Sequence, residues 1–102
     1  MKNYCLIVGL NDKYSKQQEI TTDAARSLLA GIVLDYSDGA TFTECAGIYK
    51  HADGSIVIEK SIKIEIAGIT KENALHIAER AKIALNQEAI YFSEYRARVR
   101  FI

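Results

Sequence analysis

The chain has 102 residues, 49% hydrophobic and 25% charged, which is the size and composition of one globular domain over residues 1–102 and excludes a disordered chain. Thirteen basic side chains balance thirteen acidic ones, so the general attraction on which bulk nucleic-acid and membrane-surface binding depends is missing. No apolar stretch has the length of a membrane span or a secretion signal, which predicts a cytoplasmic location, and Cys5 and Cys45, distant and without a CxxC, read as reduced thiols.

Cys5 to Leu10 is an apolar run of strand length closed by Asn11-Asp12, and it predicts a central strand. Residues 11–20 are polar and aperiodic, longer than the common connection of about 4–6 residues, which marks them as a candidate contact loop. After Thr22, the residues Ala25, Leu28, Leu29, Ile32, Val33 and Tyr36 recur at helical spacing, with Asp23 in the first turn, and predict an amphipathic helix over about 23–35. Ser37-Asp38-Gly39 turns the chain into a second strand, Ala40 to Lys50. Asp53-Gly54 signals a hairpin, beyond which Ile56, Ile58, Ile62, Ile64 and Ile66 share one face, interrupted only by Lys60. A second helix opens at Thr70, aligns Ala74, Ile77, Ala78, Ala81, Ala84 and Leu85, and ends at Asn86. Period-two residues running on to Phe101 predict a fourth strand.

The order βαββαβ predicts an α+β, ferredoxin-like fold: a four-stranded antiparallel sheet with two helices on one face and the other face open. The expected core is Leu6, Val8, Leu28, Ile32, Ile58, Ile62, Ile64, Ile77, Ala81 and Val99.

Several short segments carry a resemblance to a family. Asp38-Gly39-x-Thr41, Gly47-x-Tyr49, Asp53-Gly54, Glu59-x-Ser61, Asn86-Gln87-Glu88 and Val99-Arg100-Phe101 are spaced as in a small bacterial domain family catalogued only as of unknown function, which the chain resembles from about Tyr4 to Phe101. Members often carry tryptophan where Tyr49 stands and Phe-Gly where Leu85-Asn86 stand, and many look secreted, which this chain does not. The resemblance implies a ferredoxin-like fold and no activity.

No catalytic constellation emerges from the residues. Cys5 and Cys45 lack an adjacent base, since His51 follows a strand and His76 lies within the second helix. Neither metal-ligand spacing nor a phosphate-binding glycine pattern is present, so no metal and no cofactor are expected. Glu44, Glu59 and Glu65 could pair as carboxylates, but alternation puts Glu59 and Glu65 on the open, solvated face, and Glu88 beside Gln87 follows a helix end where it can satisfy loop amides.

Arg96, Arg98 and Arg100 fall two apart, so in a strand their guanidinium groups leave one face while Ala97, Val99 and Phe101 enter the core. Cys5, Ile7 and Gly9 would form a small-residue floor between this stripe and Glu59, Ser61, Lys63 and Glu65. The stripe reads as a solvated edge, a subunit interface or an anion site. Tyr49, Lys50 and His51 lead into the hairpin and could stack on and neutralise a planar anion, with Tyr91 and Tyr95 as further aromatic candidates.

The chain therefore reads as a non-catalytic, self-associating binding module that captures a small anionic, nucleotide-like ligand and forms a homo-oligomer. The expected ligand-binding residues are Arg96, Arg98, Arg100, Tyr49, Lys50, Glu59, Ser61 and Lys63. Two alternatives stand beside it. One is a phage-type counter-defence inhibitor that contacts a protein target through loop 11–20. The other is a small ferredoxin-like enzyme with a substrate pocket between helices and sheet.

Overall fold

The computed structural model describes residues 1–50 and 52–102. The elements are β1 (Lys2–Gly9), α1 (Thr22–Leu34), β2 (Thr41–Lys50), β3 (Ile56–Ala67), α2 (Lys71–Ala84) and β4 (Tyr91–Arg96). The strands form one antiparallel sheet in the order β2-β3-β1-β4, which with two helices is the ferredoxin-like arrangement. Alternation along β1 and β3 sends Tyr4, Leu6, Val8, Ile62, Ile64 and Ile66 to one face, where they join Ala25, Leu29, Ile32 and Val33 of α1 and Ala74, Ile77 and Ala81 of α2 in a single core.

Each helix starts at a threonine whose hydroxyl accepts an amide hydrogen bond: Thr21 from Ala24 and Thr70 from Asn73, both at 3.1 Å. Helix α1 thus starts at Thr22, one residue before the expected 23, because Thr21 already holds the extended backbone a cap requires.

Three expected core residues lie elsewhere. The buried stripe of α1 runs through Ala25, Leu29, Ile32 and Val33, leaving Leu28 on its flank at 40% exposure. Ile58 is 71% exposed, because the β1–β3 ladder stops at Gly9 opposite Ser61 while β2 and β3 continue paired to Lys50 and Ile56. This overhanging ribbon carries Ile48, Ile56 and Ile58 past both helices and stretches the molecule to 46 Å against 24 Å in the other directions. Val99 lies beyond β4, which ends at Arg96; a last amide bond joins Ala97 N–H to the Met1 carbonyl at 3.1 Å.

Ile64→Ala should lower the free energy of unfolding by about 2–5 kcal/mol, the usual cost of emptying a buried site. Ile58→Ala should change it by no more than about 0.5 kcal/mol. Urea midpoints of the two variants check this; equal midpoints would refute the registered end of the β1–β3 ladder.

Candidate functional site

The site forms where three chain segments end together. β1 ends at Gly9, and its ladder to β3 ends at the same level. Glu59, two residues before Ser61, folds its carboxylate over Gly9 and accepts the Asn11 N–H at 2.9 Å. A Cβ on Gly9 would meet Glu59 Oε1 at 2.5 Å, so a side chain there would push the carboxylate out of this position. Glu59 is therefore a placed group rather than a solvated one.

The second segment is the end of α2. Asn86 takes a left-handed φ of 48°, its N–H donates to the Ile83 carbonyl at 3.2 Å, and Gln87 N–H donates to the Lys82 carbonyl at 2.9 Å. These two bonds make a Schellman cap, which asparagine tolerates at this position. The cap turns Gln87 inward, where its amide donates to the carbonyls of Asn11 at 2.8 Å and Leu85 at 3.1 Å. Gln87 is one of two buried polar residues among the described residues, and these bonds stop its burial from being costly.

The third segment is the turn over residues 12–17, inside the loop expected to make contacts. Asp12 N–H donates to the Gln17 carbonyl at 2.8 Å and Lys16 N–H to the Asp12 carbonyl at 2.9 Å. Lys13 N–H donates to the Asn86 carbonyl at 3.0 Å, and Asn86 Nδ2 donates to Asp12 Oδ2 at 2.7 Å. The Asn86 amide, followed by the Ser15 and Tyr14 N–H groups, holds the Asp12 carboxyl below the ordinary aspartate range.

Together these segments border a cavity of about 180 Å³ lined by Lys13, Lys16, Tyr49, Glu59, Gln87 and Glu88, with Asn11, Asp12 and Ala89. Of the expected site residues, only Tyr49 and Glu59 are brought together here. Lys50 lies opposite Ile56 at the end of the ribbon and does not line the cavity. Ser61 is buried against Cys45, with Oγ and Sγ 3.2 Å apart. Lys63 Nζ pairs with Glu65 at 3.1 Å, a bond that raises the lysine's pKa. His51 lies outside the described residues.

The arginine stripe requires correction. The register sets Lys2 opposite Arg96 and Asn3 opposite Tyr95, so Arg96 shares the side of Phe92 and Glu94, while Tyr91, Ser93 and Tyr95 face with Cys5 and Ile7. The strand stops at Arg96, and Arg98 and Arg100 continue beside Met1 and Ile102. This is the Lys2 end of β1, on the order of 20 Å from Gly9 at strand rise. The small-residue floor does form, and burial pushes the Cys5 thiol pKa up, with Lys63 opposing.

The sequence reading leaves Asn11, Lys13, Asn86, Gln87 and Glu88 out of the site. A signal for several of them lay in the family resemblance, since Gly47-x-Tyr49, Glu59-x-Ser61 and Asn86-Gln87-Glu88 each contribute a lining residue. Among the described residues no three His, Cys, Asp or Glu side chains converge as metal ligands, and no helix is long and apolar enough to cross a membrane.

No family model matches the chain, and no curated protein does, in keeping with a resemblance that implies no activity. Among solved structures, the chain is similar to a phage SAM lyase in complex with S-methyl-5'-thioadenosine, with a TM-score of 0.70 and 20% identity over 92% of this chain and 79% of that one. It is similar also to a phage SAM lyase in the apo state, with a TM-score of 0.66 and 22% identity over 92% and 78% of the two chains. These neighbours overturn the expectation of a non-catalytic module: the shared fold is that of an enzyme, and one that holds a small molecule.

Proposed function

We propose that the protein binds an S-adenosyl sulfonium compound at the Tyr49–Glu59–Glu88 cavity and cleaves it to release S-methyl-5'-thioadenosine. The observation that carries this reading is the Glu59 carboxylate, held over Gly9 by the Asn11 N–H in a cavity that also contains Tyr49 and Glu88. In a lining that holds three carboxylates, Asp12, Glu59 and Glu88, against the two ammonium groups of Lys13 and Lys16, the excess negative charge and the Tyr49 ring suit a ligand with a positive centre and a planar base. That chemistry favours a sulfonium over the anionic ligand expected from the arginines, which border a different part of the molecule. The fold likeness to a lyase of S-adenosylmethionine supports the same choice.

The reaction fits the residues at hand. When a sulfonium C–S bond breaks, its electron pair stays on sulfur, which leaves as a neutral thioether and needs no proton. No Cys–His or Ser–His pair is needed for such a step. The remaining four-carbon fragment is discharged by losing a proton to a base such as Glu59 or by closing on its own carboxylate, and neither route consumes water.

A volume of about 180 Å³ is below the roughly 300–1,000 Å³ of pockets that enclose a whole ligand of this size. Self-association, with a second copy supplying the missing wall, accounts for the difference and for an open sheet face floored by Cys5, Ile7 and Gly9.

Incubation of the purified protein with S-adenosylmethionine should release S-methyl-5'-thioadenosine, measured by chromatography. Glu59→Gln should lower kcat/KM by about 10²–10³-fold, the scale of losing one preorganised electrostatic group. Gly9→Ala should displace the same carboxylate and lower activity with a near-unchanged melting temperature, whereas Arg98→Ala should leave activity intact. Absence of both turnover and calorimetric binding would overturn the reading. Light scattering should return a mass above the 11.4 kDa of one chain; a monomer that nonetheless turns over substrate would remove the second-copy wall alone.

A further inference from the structure

The cavity contains charges of both signs. Glu59, Glu88 and Asp12, whose carboxylate already accepts from the turn and Asn86, supply the negative ones, and Lys13 and Lys16 on the 12–17 turn supply the positive ones. Among the described residues neither lysine forms a direct ion pair within 4.0 Å, although these side chains border one space of about 180 Å³. The turn that carries the lysines is rigidly specified. Asp12 Oδ1 accepts the N–H groups of Tyr14 at 2.8 Å and Ser15 at 3.1 Å, and Lys16 holds a left-handed φ of 63°. The Lys16 ammonium donates to the Lys13 carbonyl at 2.6 Å, and the Lys13 ammonium lies 5.1 Å from the centre of the exposed Tyr14 ring. Asn86 then ties the whole turn to the end of α2 through Asp12 and Lys13.

A left-handed lysine is an uncommon and mildly strained choice where glycine or asparagine would do. It is explained if the side chain is wanted at that place. Lys13 acts at a distance on the Asp12 carboxylate, but neither lysine pairs directly with Glu59 or Glu88, and opposite charges held apart in one cavity match a ligand end that itself carries both signs. An α-amino acid is such an end, and a sulfonium adds a further positive centre for the glutamates.

We propose that Lys13 and Lys16 recognise the α-carboxylate of the ligand while Glu59 and Glu88 take its positive centres, so that the site selects S-adenosyl compounds bearing an amino-acid end. This rests on the cavity assignment above and names the part of the substrate that the 12–17 turn reads. The lysines are specificity residues here; the bond-breaking step does not pass through them.

The test uses two thioethers that are not cleaved, S-adenosylhomocysteine, which has the amino-acid end, and S-methyl-5'-thioadenosine, which lacks it. Calorimetry should give the wild-type protein a roughly tenfold or greater preference for S-adenosylhomocysteine, the scale of a charge-assisted hydrogen bond. Lys13→Met and Lys16→Met should each reduce that preference while leaving affinity for S-methyl-5'-thioadenosine unchanged, and Lys13→Arg should restore it. An undiminished preference in both methionine variants would overturn the proposal. So would an equal loss of affinity for both thioethers, which would mark the lysines as structural. A wild-type protein that binds neither compound would instead refute the cavity assignment itself, and a wild type that binds both equally would refute the carboxylate reading alone.

Discussion

The contact between the Glu59 carboxylate and the bare backbone of Gly9 is the constraint on which the site depends. It exists because two ladders end at different heights: β3 leaves β1 at Ser61 but keeps β2 as far as Ile56. Glu59 is thus the first outward-facing residue of β3 with no β1 side chain beside it, and a side chain on Gly9 would occupy the place its carboxylate takes. The chain leaving β1 adapts to this arrangement. Leu10 stays buried and donates its N–H to the Lys60 carbonyl at 3.0 Å, and Asn11 N–H then meets Glu59. A backbone donor and a carboxylate acceptor satisfy each other at the rim of the core, where an unpaired N–H would be costly.

The end of α2 supplies the opposite wall by an equally local mechanism. Leu85 is buried and anchors the last turn, and the left-handed Asn86 reverses the chain so that Gln87 points back toward Asn11. Asparagine can do what glycine does at such a cap, and its side chain adds the bond to Asp12. One residue therefore terminates the helix, orients Gln87 and Glu88, and fastens the loop carrying Lys13 and Lys16. The site is assembled from segment ends on a rigid sheet, which is where binding groups can be varied without disturbing the core.

The fold was largely legible because its signals are periodic. Alternation along Ile62, Ile64 and Ile66, helical spacing of Ala25, Leu29 and Ile32, and the Asp53-Gly54 turn each report a local backbone preference that the tertiary structure keeps. Periodicity cannot report where an element loses its neighbour. Ile58 has the same parity as Ile62 and is exposed because β1 has ended; Arg98 and Arg100 continue the parity of Arg96 but have no partner strand. The candidate cavity was hard to read from the sequence for the same reason. Glu59 lies 28 residues before the Gln87-Glu88 pair, and it is register and cap geometry that bring them to one cavity.

In the proposed function a methylthioadenosine-bearing ligand sits at this junction of β1, β3 and the α2 cap. Amide chemical-shift mapping during titration with S-methyl-5'-thioadenosine tests it most directly, because the backbone N–H groups of Asn11, Lys13 and Gln87 are themselves part of the structure that frames the cavity. The largest shifts should fall at residues 9–16, 59 and 86–89. Shifts concentrated at residues 96–102, or none at saturating ligand, would contradict it.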